Sequence, residues 1–265
     1  MKLTKQTASL SLATLVVTSL LTPHLGAQMG QKSRSVVHRL GNSLVGIDAV
    51  AWARSQCYSN LPRVDTVLRT PIHFLGFHGE MSRLAVTAAR TSSLGFAGSY
   101  SLKIMGTTRK VGSVTGSGSR RFNFSANVFP SAPSYTFWVG FFPLTVSGNI
   151  GYAASMDTNF INFRSSSRGV AISGNTQSYG TGYAEAGIGV PGLQAGVNTT
   201  LRLGQQKFEG YLAAFTNYLS TRYHRYSLTP VRVFLKLFGE LGWMRGEVTV
   251  VDESLSQRNY APFLR

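Results

Sequence analysis

The chain has 265 residues, with 26 Lys and Arg against 10 Asp and Glu and a formal net charge of +16. That excess favours polyanionic neighbours such as anionic glycans, lipid head groups, another envelope polymer or nucleic acid, without choosing among them. Cys57 is the only cysteine, which excludes an internal disulfide and a Cys-rich zinc site, so stability has to come from a core and strand ladders.

Residues 1–27 read as a signal peptide. Lys2 and Lys5 form a basic start, Leu10 to Leu21 is an uncharged apolar run, Pro23 breaks it, and Leu25-Gly-Ala27 offers a small residue for cleavage. The run is shorter than the roughly 20 residues a membrane-spanning helix needs. The expected product is exported, to the periplasm, the outer membrane or the exterior, and begins near Gln28. Without Lys2 and Lys5 it carries 24 basic and 10 acidic residues, a net +14.

Residues 28–78 read as a basic lead-in with a short helix and a loop. Lys32, Arg34, His38 and Arg39 lie among Gly, Ser and Gln. Over 46–59, strong helix formers combine with apolar Val50, Ala53 and Cys57, which predicts a short amphipathic helix starting near Asp48. Pro62 and Pro71 then make 60–78 a loop or short edge strand.

Residues 79–265 read as a single β domain. Leu84, Val86 and Ala88 alternate with polar or small neighbours, as do Phe96, Tyr100, Leu102 and Ile104. Thr107 to Arg121 reads as a flexible loop or irregular edge, followed by a strand through Phe122, Phe124 and Ala126. Tyr135 to Met156 holds two alternating runs that change face near Pro143, where a bulge or tight bend is expected. Alternation resumes from Val170 to Ile188, from Leu193 to Leu203 and from Val231 to Trp243, and a last hairpin is expected around Arg245-Gly246.

One pattern recurs in these strands. Leu144-Thr-Val-Ser-Gly-Asn-Ile-Gly-Tyr152 and Leu235-Lys-Leu-Phe-Gly-Glu-Leu-Gly-Trp243 align without gaps, with looser copies from Leu94 and Val170. The shared glycines are Gly98, Gly148, Gly174 and Gly239. Glycine inside a strand costs roughly 0.5–1 kcal/mol against alanine, so the repetition predicts a geometric need: a bend, a bulge or a ring over the backbone. The irregular spacing of the copies argues against a solenoid. The fold class is all-β, a mostly antiparallel sandwich or barrel-like sheet of about 8–10 strands with a short N-terminal helical segment.

Motifs for chemistry are sparse. Gly187-Ile-Gly-Val-Pro-Gly192 matches a dinucleotide fingerprint by letter, but the following residues alternate as a strand where that site needs a helix, so no cofactor is expected. His73, His78 and Glu80 would converge on a metal only across a turn at Gly76, and no metal site is expected. Glu185, Glu209, Glu240 and Glu247 are isolated carboxylates, and nothing pairs them for glycoside hydrolysis. The candidate binding residues are basic and aromatic: Arg109, Lys110, Arg120, Arg121, Arg164, Arg168, Arg222, Tyr223, Arg225 and Tyr226. Gathered at one end of a sandwich, they would offer a cationic, ring-bearing surface to sugars or phosphates.

The grammar around Val139-Gly-Phe-Phe-Pro-Leu-Thr-Val-Ser-Gly148 resembles that of uncharacterised exported Gly-rich β proteins of Gram-negative envelopes, over about 80–260. That resemblance implies no particular activity or site. The leading expectation is an exported, non-enzymatic protein of the cell envelope or surface. An outer-membrane β-barrel is the alternative, although both strand faces carry Gly, Ala and Ser where a barrel needs an outward apolar band. A secreted hydrolase acting on envelope glycans is the third reading.

Overall fold

The structure is a computed structural model that describes residues 30–41, 45–58, 61–74, 77–92, 95–127, 129–164, 168–190, 192–216, 219–220, 224–254 and 257–260. The signal-like residues 1–27 lie outside the described residues, as do Leu94, Arg222 and Tyr223. The described chain is all-β, in two sheets whose every pairing is antiparallel.

Sheet A is a six-stranded meander of β1 (Gln31–Gly41), β2 (Val45–Tyr58), β3 (Leu61–Phe74), β4 (Phe77–Arg90), β5 (Phe96–Ile104) and β6 (Thr107–Val114), in that order. Sheet B contains β7 (Gly118–Asn127), β8 (Ser134–Val139), β9 (Phe142–Phe163), β10 (Gly169–Val190) and β11 (Leu193–Phe215). It is completed by β12 (Leu219–Ser220), β13 (Arg225–Leu241), β14 (Met244–Ser254) and β15 (Arg258–Tyr260). Its main path runs β14-β13-β11-β10-β9-β7, with β8 on β9, β12 on β11 and β15 on β13.

The expected N-terminal helix is a strand. In β2 the fully buried residues are Ala49, Ala51, Ala53 and Ser55, a strict period of two, while Asp48, Trp52 and Arg54 occupy the other face. Small side chains let sheet A approach sheet B: the Ser55 hydroxyl donates to the Ala213 carbonyl of β11 at 2.8 Å. Within 60–78, expected as a loop or short edge strand, residues 61–74 form β3, a strand paired on both sides. Its prolines fall where a ladder tolerates them, Pro62 near the strand start and Pro71 at a register shift against β4. The described part of 28–78 therefore belongs to sheet A.

The core lies between the sheets. Leu68, Leu84, Val86 and Leu102 from sheet A meet Tyr152, Met156, Phe160, Phe208, Leu212 and Tyr226 from sheet B. The outer face of sheet A is polar, with Asp65 covered by Arg54 at 2.8 Å and Arg63 at 2.8 Å. In place of the bulge or tight bend expected near Pro143, β8 turns into β9 as a hairpin at Gly140-Phe141, and the expected last hairpin turns β13 into β14 at Gly242-Trp243, a little before the expected place.

The sheets differ in length. β2, β3 and β4 have 14 residues each, whereas β9 and β10 have 22 and β11 has 23. At about 3.3 Å per residue the long strands run some 70 Å, against some 45 Å for sheet A. Sheet A stops at a definite level. Met81 and Leu40 lie beside Gly180 and Gly204, where β11 carries an extra residue against β10 and Gly204 has φ +57. Beyond that level sheet B continues without a covering sheet among the described residues.

Candidate functional site

The part of sheet B beyond the bulge consists of six strands: β8, the first part of β9, the second part of β10, the first part of β11, the second part of β13, and β14. Its three hairpin tips, at Gly140-Phe141, at Gly192 and at Gly242-Trp243, are at one end. The register assigns every side chain to a face, because cross-strand partners project the same way.

One face carries Tyr135, Phe137 and Val139 from β8 with Phe142, Leu144, Val146 and Ile150 from β9. In register with these lie Ala184, Ala186, Ile188 and Val190 of β10 and Leu193, Ala195, Val197 and Leu201 of β11. Val233, Leu235, Leu237 and Leu241 of β13, and Met244, Val248 and Val251 of β14, complete the face. No charged residue interrupts it until Glu253, at its body-side border. It is also bare: Phe142 is 62% exposed, Leu241 62% and Val248 67%. Five strands of about nine residues and β8 of six cover about 30 Å by about 25–29 Å, roughly 800 Å². The largest apolar patch on a typical soluble monomer is about 300–600 Å².

The opposite face is polar and packed on itself. Arg245 bridges Glu185 at 2.8 Å and Glu247 at 3.2 Å, and Lys236 joins Glu247 at 2.9 Å. Arg232 pairs with Asp252 at 2.9 Å, and both Arg202 and Arg232 lie over the Phe234 ring. The Phe238 ring fills the space above Gly187 and Gly196, where added Cβ atoms would lie 3.1 and 2.8 Å from it, and the Arg245 guanidinium caps it at 4.2 Å. Neighbours on one strand thus invert the rule for a protein in water: Phe238 is 4% exposed on the polar face and Leu237 49% on the apolar one.

Both faces do carry small residues, Ala184, Ala195 and Gly239 on the apolar one and Ser147, Gly187 and Gly196 on the polar one, but the charges are confined to the second. Only the pairing of six strands shows that the branched aliphatic residues gather on one face, while the rings of Trp138, Phe234 and Phe238 lie on the other. The tips are apolar too, with Phe141 and Trp243 almost fully exposed at two of them.

The basic candidates do not form one cluster. Arg109 and Lys110 are exposed on β6 near the end of sheet A that meets the bulge level. Arg120 and Arg121 lie on β7, where Arg121 pairs with Asp157. Arg164 and Arg168 flank the β9–β10 connection at the far end of the body, beside buried Arg90, which donates to the Phe163 carbonyl at 3.3 Å. Burial, then the charges of Arg168 and Arg164, pull the Arg90 guanidinium below its ordinary value. Arg225 is exposed at the start of β13, opposite Glu209. Tyr226 is in the core, its ring against Phe208 and Tyr260 and its hydroxyl donating to Gln206 at 3.2 Å, so it offers no ring to a ligand. Arg222 and Tyr223 are outside the described residues.

The remaining motifs are placed as follows. His73 and His78 are cross-strand partners with ring centroids 6.3 Å apart, while Glu80 is engaged by Arg69, and no group of three metal-ligating side chains exists among the described residues. Residues 187–190 end β10 and β11 begins at Leu193, so the Gly-rich stretch joins strand to strand. The shared glycines divide. An added Cβ on Gly98 would lie 2.6 Å from the Phe160 ring, and Gly174 has φ +126 with the Asp157 carbonyl against it. A Cβ on Gly148 would lie 3.0 Å from the Tyr183 carbonyl, and one on Gly239 would meet nothing within 4 Å. A geometric need holds for Gly98 and Gly174 and fails for Gly239. Comparison with protein-family models and with curated proteins gives no match.

Proposed function

We propose that this is an exported, non-enzymatic envelope protein that seats the bare extension of sheet B in a lipid membrane and keeps its two-sheet body in water. The observation that carries this reading is the charge-free apolar face of the six-stranded extension, backed by a polar face on which Arg232, Lys236 and Arg245 pair with Asp252, Glu247 and Glu185. Strands of nine residues at the 35–45° tilt of barrel strands span about 21–25 Å, close to the apolar band of about 25 Å in outer-membrane barrels. The exposed aromatic tips suit a membrane interface, where rings gather. The signal-like start and the resemblance to Gly-rich Gram-negative envelope proteins agree with that destination.

The test is flotation of residues 28–265 with vesicles of phosphatidylethanolamine and phosphatidylglycerol, followed by high-salt and alkaline washes. Retention through both washes is expected, because apolar burial is insensitive to screening. Release by salt would reduce the contact to surface charge and overturn the reading.

A second, compatible activity rests on the opposite end of the body. Exposed Arg164 and Arg168 beside Arg90 concentrate positive charge there, some 70 Å from the tips. An anionic glycan or another envelope polymer would bind there with a strong salt dependence, since screening acts over about 8 Å at physiological ionic strength. Reversing Arg164 and Arg168 to Glu should weaken retention on an anionic polysaccharide column more than reversing Arg109 and Lys110. Equal losses would reduce the cluster to diffuse charge.

A further inference from the structure

The polar face and the two edges of the extension impose a further condition, which rests on the membrane reading. In hydrocarbon, backbone groups must be paired and charged side chains need water or each other, so strands cross a bilayer only as closed barrels. The extension is open. β8 and β14 are its outermost strands, each with one backbone edge unpaired by the described residues, and six strands are fewer than the eight of the smallest outer-membrane barrels.

We propose that copies of this chain join head to tail, β14 of one against β8 of the next, closing the extensions into one barrel with the apolar face outward and the Arg245–Glu185 side lining a water-filled interior. The direction of the strands supports this. β8 runs toward the hairpin tips and β14 away from them, so a copy placed alongside, with tips and apolar face aligned, brings the two edges together antiparallel. Pairing β14 with β14 of a second copy in antiparallel fashion would point the tips in opposite directions, which one insertion from one side of a membrane does not permit. The edges are also complementary in shape. β8 presents Tyr135 and Phe137 on the apolar face, whereas Gly239 and Gly246, cross-strand partners at the β14 edge, have open space where Cβ atoms would be. Two copies give 12 strands and three give 18, both within the range of membrane barrels.

The test uses residues 28–265 with Cys57→Ser, carrying Tyr135→Cys, Val248→Cys or both, treated with a bis-maleimide of about 10 Å span after incorporation into the same vesicles. This span tolerates a register offset of a few residues. The double variant should give a ladder ending at the ring size, a mixture of the two single variants should give dimers, and neither single variant alone should cross-link. Unsubstituted protein in nanodiscs should have a mass of at least two chains, and the vesicles should leak a small dye at least tenfold faster than protein-free vesicles. Flotation without cross-links and with a one-chain mass would overturn the ring and leave the membrane reading standing. Cross-linking of Val248→Cys with itself would overturn the head-to-tail order. Failure to float would remove the membrane reading itself.

Discussion

Sheet B carries one apolar face along its whole length, and its two halves treat that face differently. Below the bulge, Tyr152, Met156 and Phe160 of β9 are buried under sheet A; above it, Phe142, Val146 and Ile150 of the same strand stand bare. The alternation is unbroken across β9 and β10, because their register does not shift between Leu144 and Phe163. Folding therefore removes water from only the body half. The other half has the chemistry of a core with nothing of the described chain upon it.

The sharpest way to break this comparison is to truncate equivalent rings. Phe160 is 1% exposed, and Phe160→Ala should cost about 3–5 kcal/mol in water through lost transfer energy and a cavity. Phe142→Ala should change stability by less than about 0.5 kcal/mol, as bare positions do. Urea denaturation of both variants checks this. A loss of several kcal/mol at Phe142 would mean that the extension is covered in solution.

The next effect concerns the membrane rather than stability in water. Leu237→Arg places a cation on the bare face, where lipid-facing Arg costs about 2–4 kcal/mol near the bilayer midplane. Vesicle retention should fall at least tenfold while the urea midpoint stays unchanged. The adjacent Lys236 already serves as an internal control, since its charge points to the polar face and is paired with Glu247. Retained flotation of Leu237→Arg would show that this face does not meet acyl chains.

The class of fold was legible, and so was the last hairpin, because alternation of large apolar and polar residues is a local signal. β2 was not legible. Ala49, Ala51 and Ala53 alternate with Val50 and Trp52, so the buried positions are the smaller ones, and a run of good helix formers conceals the period. The bare face was hidden for a different reason. Whether Val146 or Leu237 is covered depends on 14-residue strands lying against 22-residue ones, a relation between distant segments that no window contains. A partial clue existed: β9 carries no charge from Phe142 to Met156, and the first is Asp157, well inside the body. The loop arginines failed as a cluster because the presumed loop over 107–121 is mostly β6 and β7, which fixes Arg109 and Arg120 on different sheets.

Acid separates the halves as well. His224 is buried against Phe208, with rings stacked at 4.9 Å, and burial pushes its pKa down from 6.5 to about 4. The folded state thus binds fewer protons than the unfolded chain between these values, so stability falls as pH drops from 6.5 toward 4 and levels off below. The loss should be on the order of 2 kcal/mol at pH 5. His224→Phe should lessen the slope of the urea midpoint over this range, the remainder coming from His38, whose pKa burial and then the charge of Arg258 also lower. An unchanged slope would place the acid sensitivity elsewhere.

The smallest contrast returns to the repeated glycines. Gly98 and Gly239 occupy matching places in the pattern, yet Gly98 has the Phe160 ring over it and Gly239 faces open space. Valine has the better strand propensity at either site, so propensity alone predicts equal and slightly favourable effects. Packing separates them: Gly98→Val should cost about 1–3 kcal/mol because the ring has no room to retreat inside the core, and Gly239→Val should be neutral or slightly stabilising in water. Denaturation midpoints of the two variants decide the matter. Equal destabilisation by both would mean that Gly239 is covered, which returns the bare half to a buried role and undoes the distinction between the halves. If Gly98→Val is costly and Gly239→Val is silent in water but lowers cross-linking between β14 and β8, the open notch at Gly239 and Gly246 belongs to the contact between copies.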